Sequence, residues 1–523
     1  MTMLEWHSKD VKKMLIQKRN GLFQDYDNNK IETAIKDDEL KKMIADIEKH
    51  IIADMSVEAI QDLVEETLMK HGYLQVAKAY ILYRQKHTEQ RLIIDELLAL
   101  LGDQNLKKVL LKIHKDYPQE EYSLQLLLVK FKTFYKEGMS HFEALKMLMK
   151  ASVELISKEA PKWEMISARF LTYDVNQQVD QKMNTAGRYT FYERINYLAQ
   201  QGYYGQYILE SYSKDEIDML GQYISESRNE LFTYSGLELI VKRYLIQNHD
   251  REIIEKPQEM FMSIAMHLAM NESNRVKWAK EIYDILSTLK VTMATPTMSN
   301  ARKPFHQMSS CFIDTVDDSL AGIYKSIDNF AKVSKNGGGM GLYFGKVRAN
   351  GSSIRGFKGA AGGVIRWLKL VNDTATAVDQ LGVRQGAAAV YLDAWHKDLP
   401  EFLQIRTNNG DDRMKAHDIF PAVCYPDLFW KLAKNDLEAS WYMMCPHEIH
   451  EVKGYYLEDC YGEEWERKYY ECVEDDRIPK RVMTVKEIVR LIIKSLVETG
   501  TPFTFNRDHV NNFNPNPHQG MIY

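Results

Sequence analysis

The chain has 523 residues, 68 basic against 73 acidic side chains (net charge −5), 45% hydrophobic and 11% aromatic content. That length exceeds one ordinary core and calls for two to four domains, while the composition excludes a disordered chain and a nucleic-acid binder, which would carry a basic domain. No apolar run reaches the roughly eighteen residues of a membrane span, the start MTMLEWHSKDVKK lacks a signal-peptide core, and five scattered cysteines fit a reducing cytoplasm, not a disulfide framework.

Residues 1–92 form a first unit. LIQKRNGLFQDYDNNKIETAI reads as a strand, a turn at Asn20-Gly21, a second strand and a helix start, because Asn-Gly between two such segments favours a hairpin. Helices follow through VEAIQDLVEETLMKHG and YLQVAKAYILYRQKH, with apolar residues at three-to-four spacing. Lys18, Arg19 and Lys30 either converge near the hairpin to bind phosphate or make a solvated basic turn. Residues 93–175 read as entirely helical, and their close echoes the end of the first unit as a degenerate copy without the basic hairpin. Met147, Met149 and Met165 read there as core filler. Helices continue over 176–290, through YSGLELIVKRYLI and EKPQEMFMSIAMHLAM.

After Lys290 the texture changes. Short apolar segments (MGLYFGKV, AAVYL, FPAVCY, ASWYMM, TPFTFN) alternate with helices such as SLAGIYKSIDNFAKVSK, DLFWKLAK and TVKEIVRLIIKSLVETG. Such alternation predicts βα units and a parallel sheet or barrel, an α/β fold. The terminal MIY reads as strand-like, an edge that a partner or further segment should cover.

Chemistry concentrates between Thr295 and Arg355. Cys311 lies in FHQMSSCFIDTVDDSL. A thiol in an apolar run is by default buried and inert. Ser309, Ser310 and Asp314 argue against that default, since polar groups fill a core at high cost, and Lys303 and His306 are nearby basic groups that could lower the thiol pKa. Gly337, Gly338, Gly339 and Gly341 follow a helix and precede a strand, the reverse of a dinucleotide fingerprint. They read as backbone that a ligand can approach closely. Val378–His396 is either a ligand-reading loop or an ordinary connection. Cys445-Pro-His447-Glu-Ile-His450 has no second ligand pair at zinc-finger spacing, so no metal site is assigned. Glu463, Glu464, Glu466, Glu474, Asp475 and Asp476 read as a solvated face.

EKPQEMFMSIAMHLA, TPTMSNARKPFHQMSSCFIDTVDDSL, GGGMG, VRANGSSIRG, VDQLGVRQGAAAVYLDAWH and NPNPHQGMIY, independent motifs in the right order, resemble the large (α) subunit of class I ribonucleotide reductase over nearly the whole length. A cobalamin-dependent relative shares parts of the barrel motifs; PHQGMIY favours class I. The resemblance implies an ATP-cone at 1–92, a helical domain at 176–290 and the first half of a ten-stranded α/β barrel at 291–523, with the helical, cone-like unit at 93–175 read from its echo of the first. It implies that Cys311 is half of the redox pair that reduces the ribose 2′ position, and that Thr295, Ser310, Cys311 and Gly338 bind substrate. Asp318, Ser319, Ser334, Arg348 and Arg355 fall on the specificity site, which takes a deoxynucleoside triphosphate or ATP at the dimer interface. The segment Gln380–Ala389 falls on the loop that relays effector identity, with Gln380 and Arg384 as readers. Lys18 and Lys30, with Arg19, fall on the nucleotide-contacting part of the cone, where Gln24 replaces a common glutamate.

The resemblance also implies groups that this sequence does not contain. The thiyl-radical cysteine belongs to an Asn-x-Cys-x-Glu motif shortly after the equivalent of GMIY. The second redox cysteine, the relay tyrosines and a mobile cysteine pair come later still. The expectation is the N-terminal part of a split or interrupted (intein or intron) large subunit, inactive alone. It would act in the cytoplasm as a homodimer, with a C-terminal fragment and a small radical-generating (β) subunit that carries the metal-radical cofactor. A dithiol reductant, thioredoxin or glutaredoxin, would restore the thiols, and ATP, dATP and other deoxynucleoside triphosphates would be effectors. No metal site, nucleic acid or membrane is expected. The alternative is a non-catalytic nucleotide-binding regulatory remnant.

Overall fold

A computed structural model describes residues 15–18, 23–25, 47, 50–52, 54–182, 189–380, 382 and 385–523. The chain divides into two compact units, Met1–Asp174 with Phe232–Leu237, and Val175–Leu231 with Glu238–Tyr523.

In the first unit, β1 (Leu15–Gln17) pairs antiparallel with β2 (Phe23–Asp25), Leu15 opposite Asp25 and Gln17 opposite Phe23. Asn20-Gly21 lies outside the described residues. Helix α1 (Val57–Lys70) starts where the Ser56 hydroxyl accepts from the Ala59 N–H, which satisfies one of the free donors of a helix start. Helix α2 (Leu74–Leu101) ends on Gly102, at φ +67°. Ile16, Ile60, Val64, Leu68, Ala77 and Tyr80 form the core beneath them. Helix α2 runs through the position where a border at residue 92 was expected. The run LIIDELLALL offers no breaker before Gly102, so the helix continues.

In the second unit, EKPQEMFMSIAMHLAM becomes α3 (Pro257–Ala269), apolar nearly all round and therefore an interior helix. It packs on α4 (Arg275–Ser287). The short α5 (Thr295–Asn300) then leads to β3 (Cys311–Thr315), α6 (Leu320–Lys335), β4 (Gly339–Tyr343), α7 (Val364–Ala377), β5 (Ala388–Asp393) and β6 (Phe420–Tyr425). A two-stranded excursion follows, β7 (Ser440–Met443) and β8 (Arg481–Thr484), with α8 (Pro446–Lys453) between them. Helix α9 (Val485–Thr499) opens with a Thr484–Glu487 capping box and returns the chain to β9 (Phe503–Asn506). The main sheet has the order β3-β4-β5-β6-β9 with every neighbour parallel. Phe330, Leu342, Leu368, Val371, Val390 and Leu392 fill its helix-covered face, which explains runs such as FPAVCY, apolar on both faces.

Two strand expectations are corrected. ASWYMM does form a strand, but it pairs antiparallel with Arg481–Thr484, outside the parallel sheet. Its Trp441 is fully buried and donates to Ala394 O at 2.9 Å, so the apolar run marks burial, not membership of the barrel. The fifth parallel strand is CFIDT, whose mixed, exposed side chains gave no composition signal. The terminal MIY is not a strand. The Asn511 side-chain amide gives and takes the two hydrogen bonds that a neighbouring strand would supply, to Ile522 O (2.9 Å) and from Ile522 N (2.8 Å). Among the described residues no helix is long and apolar enough to cross a membrane, and no group of three His, Cys, Asp or Glu side chains is placed to hold a metal ion.

Candidate active site and effector site

Burial separates the five thiols. It pushes Cys424 up to about 12 and Cys460 to about 11, and raises Cys445 and Cys472 as well, which makes these poor nucleophiles. Cys311 alone is exposed. It is the first residue of β3, directly beside Gly339 of β4. The Ser310 hydroxyl lies 3.3 Å from its sulfur, and Gly339 N donates to Ser310 O at 2.8 Å. Helix α5, which carries half-buried Thr295, is strapped to the approach to Cys311: Thr297 Oγ1 donates to Met308 O (3.2 Å) and Asn300 Nδ2 to Gln307 O (2.9 Å). The same helix is anchored from behind by Arg302, fully buried against Glu255 with contacts of 2.5 and 2.6 Å. His306 is taken up by the rings of Tyr207 (4.6 Å) and His267 (5.1 Å). Burial, then the Arg302 charge, hold the Lys303 pKa down.

Side chains alternate along a strand, so Cys311, Ile313 and Thr315 share a face with Gly339, Gly341, Tyr343 and Tyr391. That face opens onto a cavity of about 680 Å³, lined by Ile313, Thr315, Tyr343, Tyr391, Phe505 and the segment from Asn514 to Tyr523. Sequence reasoning did not single out Tyr343. Its hydroxyl donates to Asp393 and receives from Arg507 (3.1 Å), which also pairs with Asp393 at 2.7 Å. The signal was available only as alternation within GMGLY, where Tyr343 falls in phase with the glycines. Gly338 has a packing reason of its own: a Cβ there would stand 2.8 Å from the Phe312 ring and from Val333.

A second cluster lies past the opposite ends of these strands. Asp318 accepts from the Arg348 backbone (3.1 Å) and from its guanidinium (2.8 Å), and His447 approaches Asp318 at 3.8 Å. His447 had been noticed only in a metal-like motif. Its neighbour Cys445 instead accepts from Ala349 N (3.3 Å) and donates to Ser352 (3.5 Å), so α8 braces the Arg348–Ser353 stretch. Ser319 caps α6, accepting from Gly322 N at 3.0 Å. Arg355 is exposed at φ +52° and, with Gly356 at +81°, forms the tip of a turn closed by Ile354 and Phe357. Left-handed backbone at an arginine is uncommon.

Ser334 does not join this cluster. It is fully buried at the far end of α6, and its hydroxyl donates to Val378 O at 2.7 Å. Gln380 is buried too and donates to Gly338 O at 3.1 Å. Lys18 is exposed just after β1, while Arg19, Lys30 and Arg384 lie outside the described residues.

The family model of the ribonucleotide reductase barrel domain matches residues 309–523, that of the all-alpha domain residues 230–306, and that of the ATP-cone domain residues 14–89. The chain belongs to the ribonucleotide reductase large-subunit family. It is 54% identical over 531 residues to the ribonucleoside-diphosphate reductase subunit alpha of Treponema pallidum, with 98% of this chain and 63% of that relative covered. It is 38% identical over 389 residues to the subunit alpha of Helicobacter pylori (74% of this chain, 48% of the relative). It is 33% identical over 502 residues to that of Chlamydia trachomatis (90% and 46%). The chain thus spans less than two-thirds of the length of these reductase subunits.

Proposed function

We propose that this chain is the nucleotide-reading and thiol-bearing part of a ribonucleoside-diphosphate reductase large subunit. The observation that carries the reading is the exposed thiol of Cys311, set beside Ser310 and Gly339 on the strand that also carries the cavity-lining Ile313 and Thr315, with the Asp318–Arg348 pair past the opposite ends of the strands. Ser310, Thr295 and the backbone at Gly338 offer neutral donors for a substrate diphosphate. Cys311 and a second thiol from a complementing fragment give up two electrons and two protons as they form a disulfide. The ribose exchanges its 2′ hydroxyl for hydrogen and releases water, and an external dithiol, thioredoxin or glutaredoxin, reduces the pair again. The radical that opens this chemistry is supplied from outside the chain, by a small metal-containing β subunit and a cysteine of the complementing fragment.

At the other site, Arg348 and Arg355 would hold a deoxynucleoside triphosphate or ATP bidentately, with Asp318 and His447 setting the orientation of Arg348. Gln380, with Arg384, would carry effector identity toward the substrate through the Gly338 carbonyl. The cone at the N-terminus, including Lys18, Arg19 and Lys30, would sense ATP and dATP. A homodimer would present the effector site, and five free thiols suit a reducing cytoplasm.

Reconstitution tests the reading. The purified chain is mixed with a fragment that begins near the Asn-x-Cys-x-Glu motif, a radical-generating subunit and a dithiol reductant, and reduction of a nucleoside diphosphate is measured. Turnover only in the full mixture is the expected result. Triphosphate binding without turnover in any mixture would replace it with a regulatory, non-catalytic role.

A further inference from the structure

Cys445 carries the inference. The stretch Cys445-Pro-His447-Glu-Ile-His450 joins no metal-ligand group among the described residues, but its thiol lies against the turn that leaves β4 and presents Arg348. Four successive backbone groups of that turn are each held by a side chain from another element. Val347 O accepts from His396 Nε2 (2.9 Å), Arg348 N donates to Asp318 (3.1 Å), Ala349 N to Cys445 Sγ (3.3 Å) and Asn350 N to Asp398 (3.0 Å). His396 Nδ1 accepts from Asp398 N (3.1 Å), which assigns the ring proton to Nε2, facing Val347 O. Asp398 also accepts from Val364 N (2.9 Å), so one carboxylate ties the turn to the first N–H of α7. The thiol clamps the turn at two points, because it accepts from Ala349 N and donates to Ser352 Oγ at 3.5 Å. Burial raises its pKa and so retains the proton that the second bond requires. Its neighbour fixes its place: Met444 N donates to Trp395 O (2.8 Å), and Met444 O accepts from Lys397 N (3.0 Å). The segments that carry Cys445 and His396 therefore run side by side. Val347, Ala349, Ser352, His396 and Cys445 are each at most 1% exposed. At that depth no water replaces a lost partner, so an N–H released there is costly. A guanidinium on a long, flexible stem is pre-organised only when the backbone beneath it is fixed.

We propose that Cys445 is a positioning residue of the triphosphate site: its thiol, hydrogen-bonded to Ala349 and Ser352, fixes the turn that aims Arg348 at a nucleoside triphosphate. The inference rests on the effector reading of Asp318 and Arg348 and adds to that site a residue that touches no ligand. Hydrogen bonding and packing are separable at this position. Serine keeps a donor and an acceptor, whereas valine fills a similar volume with neither. Affinity for dTTP is measured by calorimetry on the 523-residue chain as wild type, Cys445→Ser and Cys445→Val, with the melting transition of each recorded alongside. Cys445→Val should bind dTTP about tenfold more weakly than the wild type, and Cys445→Ser within about threefold of it. A Cys445→Val chain that binds dTTP as the wild type does would overturn the inference. So would Cys445→Ser binding as weakly as Cys445→Val, since packing would then be the whole role of the thiol. Either result leaves the effector reading standing, because the wild type still binds. If Cys445→Val loses its cooperative melting transition, Ser352→Ala decides, since it removes only the acceptor of the thiol proton. A several-fold loss of dTTP affinity there supports the inference, and unchanged affinity overturns it. No binding of dTTP by the wild type would overturn the effector reading and the inference with it.

Discussion

Of the five thiols only that of Cys311 is exposed, at the start of β3, and a hydroxyl cannot replace it as a two-electron donor. Cys311→Ser should lower dithiol-dependent turnover of the reconstituted enzyme by at least about 10³-fold, with dTTP affinity unchanged by calorimetry. Turnover that survives would mean another thiol reduces the ribose. A second residue tests the electrostatics of the sheet's far end. Glu458 is completely buried, neither carboxylate oxygen has a hydrogen-bond partner among the described residues, and burial pushes its pKa up from 4.5 to about 8. Below pH 4.5 the folded and unfolded chains both hold this proton. Between 4.5 and about 8 the unfolded chain releases it and the folded chain keeps it, so folding stability falls as pH rises through that window. Glu458→Gln removes the titration. Urea unfolding should therefore find the variant more stable than wild type at pH 8, by on the order of a few kcal/mol, and little different near pH 4.5.

At the level of elements, α5 is too short to hold Thr295 in place by its own hydrogen bonds. It is held by its straps to Met308 and Gln307 and by Arg302, whose guanidinium reaches Met298 O (2.6 Å), Tyr244 O (2.7 Å) and both Glu255 oxygens. Arg302→Ala would leave the Glu255 carboxylate buried without its cation, which costs about 3–5 kcal/mol. Chemical denaturation should show that loss, along with weaker nucleoside diphosphate binding and little change in dTTP affinity. A small loss would mean that solvent enters the site. Elements were the most legible level of the sequence where the signals are local. Three-to-four spacing located α1 and α2, the helical segments read further on became α3, α6 and α9, and the short apolar run MGLYFGKV located β4. The strand CFIDT was not legible from composition, because Cys311, Asp314 and Thr315 interrupt its apolar residues. ASWYMM was legible as a strand and misleading as to its sheet, since hydropathy reports burial and not pairing.

On the scale of the molecule, the parallel sheet has β3 and β9 at its two edges among the described residues. Ile313 on one edge is 84% exposed, and Phe503 on the other is exposed as well. Open edges with apolar side chains are sites for further pairing. A complementing fragment that binds only the folded chain should raise its melting temperature in step with fragment concentration. A calorimetric scan that shows no such shift at saturating fragment would count against assembly through these edges. The family, the order of its domains and the thiol-bearing segment were all readable from the chain itself, because motifs, caps and hydrophobic periods act over a few residues. The tertiary structure decided which side chains meet. It set His447 beside Asp318, Arg507 between Tyr343 and Asp393, and Ser334 on Val378 instead of beside Arg348. Those contacts join residues far apart in sequence, and the physical reason they were not readable is that burial and partner geometry arise only when the sheet brings its strand ends together.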